Sequence, residues 1–134
     1  MNENIMSYLE NDQFAALAGI KLVEVKLGYA KAKMEITDKH LNAVNIVHGG
    51  AIFTLADFAF AAASNSYGQV SLGINAAISY FRPPKGCTLI AEAKEVSSTK
   101  KIGNYNVDVF DENKEIIARF NGIVYRKKDK IEFE

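Results

Sequence analysis

The chain has 134 residues, of which 49% are hydrophobic, and its 16 basic side chains balance its 16 acidic ones. This length suits one domain, residues 1–134, with a sizeable core, and the balanced charge gives no indication of nucleic-acid binding. The apolar residues form no run of about twenty, so the sequence predicts no membrane-spanning helix.

The sequence gives no indication of an internal disulfide, a secretory signal, a metal site or a phosphate-binding loop. Cys87 is the single cysteine, so no disulfide can form within the chain, and it is expected to be a packed or surface thiol. No secretory signal pattern is visible, which makes the cytoplasm the expected location. No residue spacing indicates a metal site, and Gly49-Gly50 is too short for a Gly-rich phosphate loop.

The N-terminal segment 1–18 is expected to be helical, because apolar residues recur on one face of residues 5–18 at about 100° per residue. Two short helices are the alternative, since Asn11 or Asp12 can cap a second one. Gly19 is a suitable helix end.

Two segments with alternating side chains follow, and they predict an antiparallel hairpin with one mostly solvated face. Ala30–Ile36 alternates cleanly. In Ile20–Leu27, the residues Ile20 and Leu22 fall on the polar row, where the N-terminal helix could cover them. The apolar row predicted for this strand is Val23, Val25 and Leu27.

The segment His48–Asn65 predicts one helix of about five turns with apolar residues on every side. Such a helix is normally buried all round, so a sheet is expected to surround it. Asp57 is the one charge on it, and a carboxylate is rarely buried without a partner or a task. Gly49 and Gly50 leave the first backbone N–H groups uncovered at the positive end of the helix dipole, where an oxygen atom can bind.

After this helix the period of two returns and predicts four more strands, at Val70–Tyr80, Thr88–Ser97, Ile102–Phe110 and Ile116–Tyr125. The charged run Arg126–Lys130 is expected to be solvated, and residues 127–134 are expected to form a charged tail. Sequential antiparallel strands curling around one helix explain the apolar surface of that helix. The predicted class is therefore α+β, with no βαβ alternation.

A two-part motif connects these elements to a known family: Asn42-x5-His48-Gly49-Gly50-x6-Asp57, then Ser79-Tyr80-Phe81-Arg82-Pro83. From about residue 11 to residue 126 the chain resembles the hotdog-fold acyl-CoA thioesterases of the phenylacetate-degradation type. The resemblance implies a curved antiparallel sheet around the helix. It also implies a homodimer whose sheets join edge to edge, often paired into a homotetramer. The implied substrate is an aryl-acetyl or medium-chain acyl-CoA, and coenzyme A is part of that substrate, so no separate cofactor is expected.

Carried over by position, the resemblance makes Asp57 the catalytic carboxylate and Gly49 the backbone N–H donor to the thioester carbonyl. Asn42 would help to place the water or the substrate. Some members carry a hydroxyl residue where this chain has Gly73, so a role for that hydroxyl is not implied here. The implied substrate contacts are Gly50, Asn75, Tyr80, Phe81, Arg82, Pro83, Lys85, Lys100, Lys101 and Gly103.

Each of these residues also has a simpler interpretation. Asp57 could be satisfied by a structural partner, and Asn42 could be a turn residue. His48 could be a base, but the helix N-terminus disfavours positive charge, which favours a neutral imidazole that bonds the loop. The cations Arg82, Lys85, Lys100 and Lys101 could be ordinary surface charges or could meet the phosphates of coenzyme A.

The chemistry of thioester hydrolysis fits the same residues. Negative charge develops on the carbonyl oxygen, and pre-oriented amides stabilise it. In apolar surroundings the pKa of Asp57 should rise, which makes it a better base, and direct nucleophilic attack is the other route. Asp57 lies eight residues beyond Gly49, about 12 Å along the helix axis, so the two groups are expected to come from different chains.

Two other functions are possible on the same fold. One is a non-catalytic acyl-CoA-binding protein, although no appended DNA-binding segment supports a sensor. The other is an acyl-thioester dehydratase or hydratase. That chemistry normally pairs a histidine with a differently placed carboxylate, and this chain offers only His40 and His48.

Overall fold

The computed structural model describes residues 3–132. Its six named strands form one antiparallel sheet in the order β1-β2-β4-β5-β6-β3. A short 3-10 turn, Asp38–His40, lies between β2 and α3. The helices and strands are α1 (Glu3–Leu9), α2 (Gln13–Leu17), β1 (Ile20–Lys26), β2 (Tyr29–Glu35), α3 (Gly49–Ser64), β3 (Gln69–Tyr80), β4 (Thr88–Ser98), β5 (Ile102–Asp111) and β6 (Ile116–Lys130).

The sheet wraps around α3, which packs mainly against β2, β4 and β5. Alanines on the inner faces of β2 and β4 let the helix approach closely, and they are completely buried together with larger side chains. The inner-face residues with no exposed surface on these strands are Ala30, Ala32, Met34, Leu89, Ala91, Ala93, Tyr105, Val107 and Val109. This arrangement confirms the α+β class and the hotdog architecture.

The N-terminal segment forms two short helices, so the alternative to one helix over 5–18 is the correct one. Asp12 caps α2, where its Oδ1 accepts a hydrogen bond of 3.0 Å from the Ala15 N–H. Gly19 follows with a φ of +74°, a left-handed conformation that suits glycine. Met1 and Asn2 lie outside the described residues.

The apolar row predicted for β1 is wrong at two of its three positions. The pairing register with β2 shifts between Leu22 and Glu24, which marks a β-bulge. The bulge changes the phase of the strand, so Ile20, Leu22 and Val25 are all buried. Val23 and Leu27 are 47% and 65% exposed.

The solvated run predicted at Arg126–Lys130 is wrong for Arg126, which is buried, and right for the exposed side chains of residues 128–130, although the whole run belongs to a strand. β6 continues to Lys130, which lies opposite Gln69 of β3. Arg126 is buried, and its guanidinium donates to the Tyr105 hydroxyl at 2.8 Å and to the Thr99 carbonyl at 3.0 Å. Backbone pairing and these hydrogen bonds hold the segment in the sheet, although the side chains of residues 128–130 are exposed. Residues 133 and 134 lie outside the described residues.

An aromatic cluster fills the space between α3 and the last strands. The Phe60 ring lies 5.4 Å from Phe120 and 5.9 Å from Tyr105, measured between ring centroids. Gly122 lies directly beneath this cluster, because a Cβ there would come within 2.6 Å of Phe60 and 2.9 Å of Phe120. Gly73 faces the other edge of the same ring, and its Cβ would lie 3.3 Å from Phe60.

Gly122→Ala is therefore expected to destabilise the protein by about 1–3 kcal/mol, the usual cost of overpacking a core. Urea unfolding at fixed protein concentration measures this. Gly73→Ala is the matched control, since its methyl group meets the same ring at 3.3 Å, a smaller overlap than the 2.6 Å at Gly122, and should cost less. Equal urea midpoints for wild type and Gly122→Ala would contradict the close packing of Phe60 and Phe120 against Gly122.

Candidate active site

The N-terminus of α3 leaves one backbone amide available. The His48 imidazole caps the helix, and its Nδ1 accepts from the Gly50 N–H at 2.7 Å. The Ala51 N–H donates to the His48 carbonyl at 3.0 Å. Within residues 3–132 the Gly49 N–H has no acceptor. The expectation that both glycine amides are uncovered is wrong for Gly50, because the imidazole bonds to it.

Both histidines are used by hydrogen bonds. Because Nδ1 of His48 accepts, its proton is assigned to Nε2, and the neutral ring has no nitrogen free to take a proton. The neutral form expected for His48 fits this geometry, although its partner is the helix rather than the loop. His40 is buried, accepting from the Thr37 N–H at 3.0 Å through Nδ1 and contacting the Ala18 carbonyl at 2.6 Å through Nε2.

The side of α3 that carries Asp57 is open in the single chain, which corrects the expectation that the helix is buried all round. Gly50 and Asp57 are exposed, and Thr54 and Ala61 are half-buried. The spacing of these four residues, four, three and four, places them on one face of the helix. We call these residues, Gly50, Thr54, Asp57 and Ala61, the open stripe.

Asp57 has no hydrogen bond or ion pair with any residue in the described part of the chain. The surrounding protein atoms partly desolvate its carboxylate even though solvent reaches it. This desolvation, with a smaller repulsion from the Asp12 carboxylate, raises the pKa of Asp57 above its usual value. The structural-partner interpretation of Asp57 therefore has no support within the single chain.

Two clefts meet at the N-terminus of α3. The larger, of about 670 Å³, lies beside α2 and includes His48, Gly50 and Thr54 of the helix. The smaller, of about 370 Å³, includes Gly49 and the chain that follows β3. Tyr80 lines both clefts, and its hydroxyl donates to the Gly49 carbonyl at 3.0 Å.

Asn42 organises the loop before α3. Its Oδ1 accepts from the Val44 N–H at 3.0 Å and from the Ile46 N–H at 3.2 Å, so it acts as a turn residue. It also lines the smaller cleft together with Gly49. These contacts occupy its carbonyl oxygen, which leaves its Nδ2 as the group that can face a bound molecule.

The structure separates the remaining predicted contacts into two groups. Phe81, Arg82 and Pro83 line the smaller cleft, and Arg82 pairs with Glu115. Lys85 is exposed on the same segment, and Asn75 is exposed farther back on β3.

Lys100 and Lys101 are exposed in the turn between β4 and β5, at the opposite end of the sheet. There Ile102 lies opposite Tyr125, which lies opposite Leu72 on β3. Leu72 is eight residues from Tyr80, about 26 Å along an extended strand, so one chain does not bring the two groups together.

Gly103 and Gly73 each lie against a large side chain of the same chain. Gly103 is buried, and its Cβ would lie 2.8 Å from the Arg126 guanidinium, so it makes room for that side chain within the sheet. At Gly73 a Cβ would lie 3.3 Å from the Phe60 ring, so a side chain there would face that ring.

Sequence reasoning missed Thr54 and the two exposed apolar residues of α2. Thr54 lies one turn before Asp57 on the open stripe, and its Oγ1 donates to the Gly50 carbonyl at 2.7 Å. Its i−3 spacing from Asp57 is a signal that could have identified it. Phe14 and Leu17 are exposed and line the larger cleft, and only the tertiary structure places α2 there.

The sequence profile of the thioesterase superfamily matches residues 44–118, which contain the α3 N-terminus, Asp57 and Tyr80. The chain belongs to this superfamily. A relative in Archaeoglobus fulgidus is 43% identical to this chain, over 94% of this chain and 83% of its own length. The acyl-coenzyme A thioesterase PaaI of Escherichia coli K12 is 34% identical over 92% of this chain and 89% of its own length.

Solved structures agree with this assignment. The E. coli PaaI protein from the phenylacetic acid degradation operon superposes with a TM-score of 0.91 at 32% identity, covering 97% of this chain and 95% of that one. A Streptococcus mutans UA159 protein bound to acetyl-CoA superposes with a TM-score of 0.78 at 25% identity, covering 84% and 91%. The expected fold and the thioester-hydrolase family are thereby confirmed.

None of the described helices is both long enough and apolar enough to cross a membrane. Within residues 3–132 no group of three or more His, Cys, Asp or Glu side chains could hold a metal ion.

Asp57→Asn is expected to stabilise the fold at neutral pH. A carboxyl group whose native pKa is raised binds its proton more tightly in the folded state, so the ionised form lowers stability once the pH exceeds its ordinary pKa of about 3.8. The urea midpoint of Asp57→Asn should therefore exceed that of wild type at pH 7.5, and the difference should disappear below about pH 4. A lower midpoint for the variant at pH 7.5 would show that the carboxylate is a structural group.

Proposed function

We propose that this protein is an acyl-CoA thioesterase that hydrolyses an aryl-acetyl or medium-chain acyl-CoA to the free acid and coenzyme A. The observation that carries the proposal is the unpaired Gly49 N–H at a helix N-terminus, combined with the unpaired Asp57 carboxylate on the open stripe of the same helix. The name and reaction class of the E. coli relative and the acetyl-CoA bound to the S. mutans protein support it.

The Gly49 N–H stabilises the negative charge that develops on the thioester carbonyl oxygen. It is fixed by the backbone and lies at the positive end of the α3 dipole, so it needs no rearrangement during the reaction. One such donor contributes about 3 kcal/mol to transition-state stabilisation.

Hydrolysis also needs an activated nucleophile, and Asp57 supplies it. In one route it takes a proton from the attacking water, the C–S bond then breaks, and the coenzyme A thiolate leaves with that proton. In the other route it attacks the carbonyl carbon itself and expels the coenzyme A thiolate, and water then hydrolyses the resulting anhydride, which frees the carboxylate and protonates the thiolate. Both routes need the ionised carboxylate, and partial desolvation makes that carboxylate more basic by raising its pKa. Besides the acyl-CoA, the reaction consumes only water.

The two groups belong to different chains in this proposal. The eight-residue separation of Gly49 and Asp57 corresponds to about 12 Å along α3, too far for both to contact one thioester. A second copy whose α3 lies antiparallel against the open stripe brings its Asp57 to the Gly49 of the first. The dimer then contains two equivalent sites.

The outer edge of β3 supports such a dimer. β3 ends the sheet, and Leu72 and Ile74 on it are 52% and 58% exposed. An unpaired strand edge with exposed apolar residues is a site for pairing with another chain. An antiparallel pair of β3 strands centred near Ala76 sets the Leu72 end of one copy beside the Tyr80 end of the other.

This pairing also explains the two separated groups of cations. It brings Lys100 and Lys101 of one copy toward Arg82 and Lys85 of the other, where together they can hold the phosphates of coenzyme A. The resemblance further implies that two dimers pair into a tetramer, and analytical ultracentrifugation of the purified protein distinguishes the two states.

The rival functions fit the site less well. A dehydratase or hydratase needs a histidine that can take up a proton, but His40 is buried with both ring nitrogens in contacts, and Nδ1 of His48 already accepts from the Gly50 N–H. In a protein that only binds acyl-CoA, a partly desolvated carboxylate without a partner lowers stability and serves no purpose.

Asp57→Asn is expected to lower the turnover of phenylacetyl-CoA and octanoyl-CoA by about a hundredfold or more, because an amide can neither accept the proton nor attack. A thiol-release assay measures this. Asp108→Asn is the matched control: this aspartate pairs with Arg119 at the sheet surface and should keep full activity. Near-normal hydrolysis by Asp57→Asn would exclude the assigned role, whatever the control does.

Mixing two inactive variants is expected to restore activity if the site is shared. One variant carries Asp57→Asn and the other Gly49→Val, whose side chain crowds the amide and meets the Tyr80 ring. A heterodimer has one site with both lesions and one site with neither, so each heterodimer regains up to half of a wild-type dimer's activity. Proven subunit exchange without recovery would place both groups in one chain.

A further inference from the structure

Tyr80 lies where the two clefts meet. It is the last residue of β3, 49% exposed, and its hydroxyl donates to the Gly49 carbonyl at 3.0 Å. Partial burial raises the pKa of its phenol, so the hydroxyl stays neutral and keeps this hydrogen bond at neutral pH. The ring is thus tied to the helix N-terminus instead of extending into solvent.

The phenol ring lies directly against the residue that carries the free amide. A Cβ built at Gly49 would come within 3.2 Å of the Tyr80 Cζ and 3.3 Å of its hydroxyl oxygen. The Tyr80 ring is therefore packed against the residue whose N–H is free, so a thioester bound at that N–H lies close to the ring.

The clefts on either side of this ring are both lined mainly by apolar side chains and differ in size. The larger one, of about 670 Å³, is walled by Phe14 and Leu17 of α2, Leu41, and Phe53 of α3, and His40 and His48 also line it. The smaller one, of about 370 Å³, holds Arg82 and Asn42 among apolar side chains.

An acyl-CoA has two arms at its carbonyl carbon, an apolar acyl chain and a coenzyme A arm with amide and phosphate groups. The larger cleft can bury more CH₂ groups of the acyl arm, at about 0.8 kcal/mol each. Arg82 in the smaller cleft can pair with the phosphates of the coenzyme A arm. The first acyl carbon then passes the Tyr80 ring.

We propose that Tyr80 is a specificity-determining residue that selects against acyl groups branched at the carbon next to the thioester carbonyl. The tethered ring leaves room for a CH₂ group at that carbon, as in aryl-acetyl and straight-chain acyl groups, and collides with a substituent there. This inference rests on the proposed thioesterase function and adds the class of acyl group that the site accepts.

The test compares two isomers, butyryl-CoA and isobutyryl-CoA, which contain the same atoms and differ only in branching at the first acyl carbon. The wild type should show a kcat/KM about tenfold or more higher for butyryl-CoA, the scale of discrimination by one methyl group in a packed site. Tyr80→Ala joins the two clefts and should reduce this preference to about twofold or less. Tyr80→Phe keeps the ring but loses the tether to Gly49, so it should retain part of the preference.

Phe81→Ala is the matched control, because Phe81 is the next residue, is equally exposed at 49%, and lines the smaller of these two clefts but not the larger. Its preference between the isomers should equal that of the wild type even if its rates fall. If Tyr80→Ala unfolds, Tyr80→Leu replaces it and should relax the preference in the same direction.

Three outcomes overturn the proposal. A wild type that hydrolyses both isomers with equal kcat/KM has no such selection, while its activity leaves the thioesterase function intact. An unchanged isomer ratio in a folded Tyr80→Ala or Tyr80→Leu variant assigns the selection elsewhere. A wild type that hydrolyses no acyl-CoA at all removes the proposed function, and this inference with it.

Discussion

The burial of α3 against the inner face of the sheet is the constraint on which the rest of the structure depends. Completely buried alanines on β2 and β4 allow the helix backbone to lie close to the strands, and the Phe60 ring fits over Gly122 for the same reason. The fixed helix sets the position and direction of its N-terminal amides. A site made of backbone groups needs this rigidity, because no side-chain rotation can correct a misplaced N–H.

The burial of α3 leaves one face of the helix, the open stripe, exposed in the single chain. Three sides of α3 are covered by its own chain, and the fourth exposes Asp57 beside half-buried Thr54 and Ala61. The exposed apolar edge of β3 is incomplete in the same way. A second copy that covers both surfaces completes the hydrophobic burial and delivers a carboxylate to the free amide, so in our proposal stability and catalysis depend on the same interface.

The N-terminus of α3 combines three small interactions into one site. The His48 cap occupies the Gly50 amide and leaves the Gly49 amide free, while the Tyr80 hydroxyl holds the Gly49 carbonyl. Glycine at position 49 is required by the Tyr80 ring as well as by an approaching carbonyl oxygen. The resemblance implied Gly49 as a donor, and within residues 3–132 the structure leaves its N–H without an acceptor while the Gly50 and Ala51 amides are hydrogen-bonded.

The sequence by itself determined the class of fold, the long helix, and the presence of two N-terminal glycines and Asp57 on that one helix. Hydrophobic period, helix capping and an isolated charge are local signals, so no tertiary contact is needed to read them. It failed at β1, where a bulge changes the phase, and at Arg126, where partners distant in sequence bury a charged side chain. Only the tertiary structure decided which face of α3 stays open, that Tyr80 divides two clefts, and that the cations of one chain lie at opposite ends of its sheet. These features arise from contacts between segments far apart in sequence, and no local pattern encodes them.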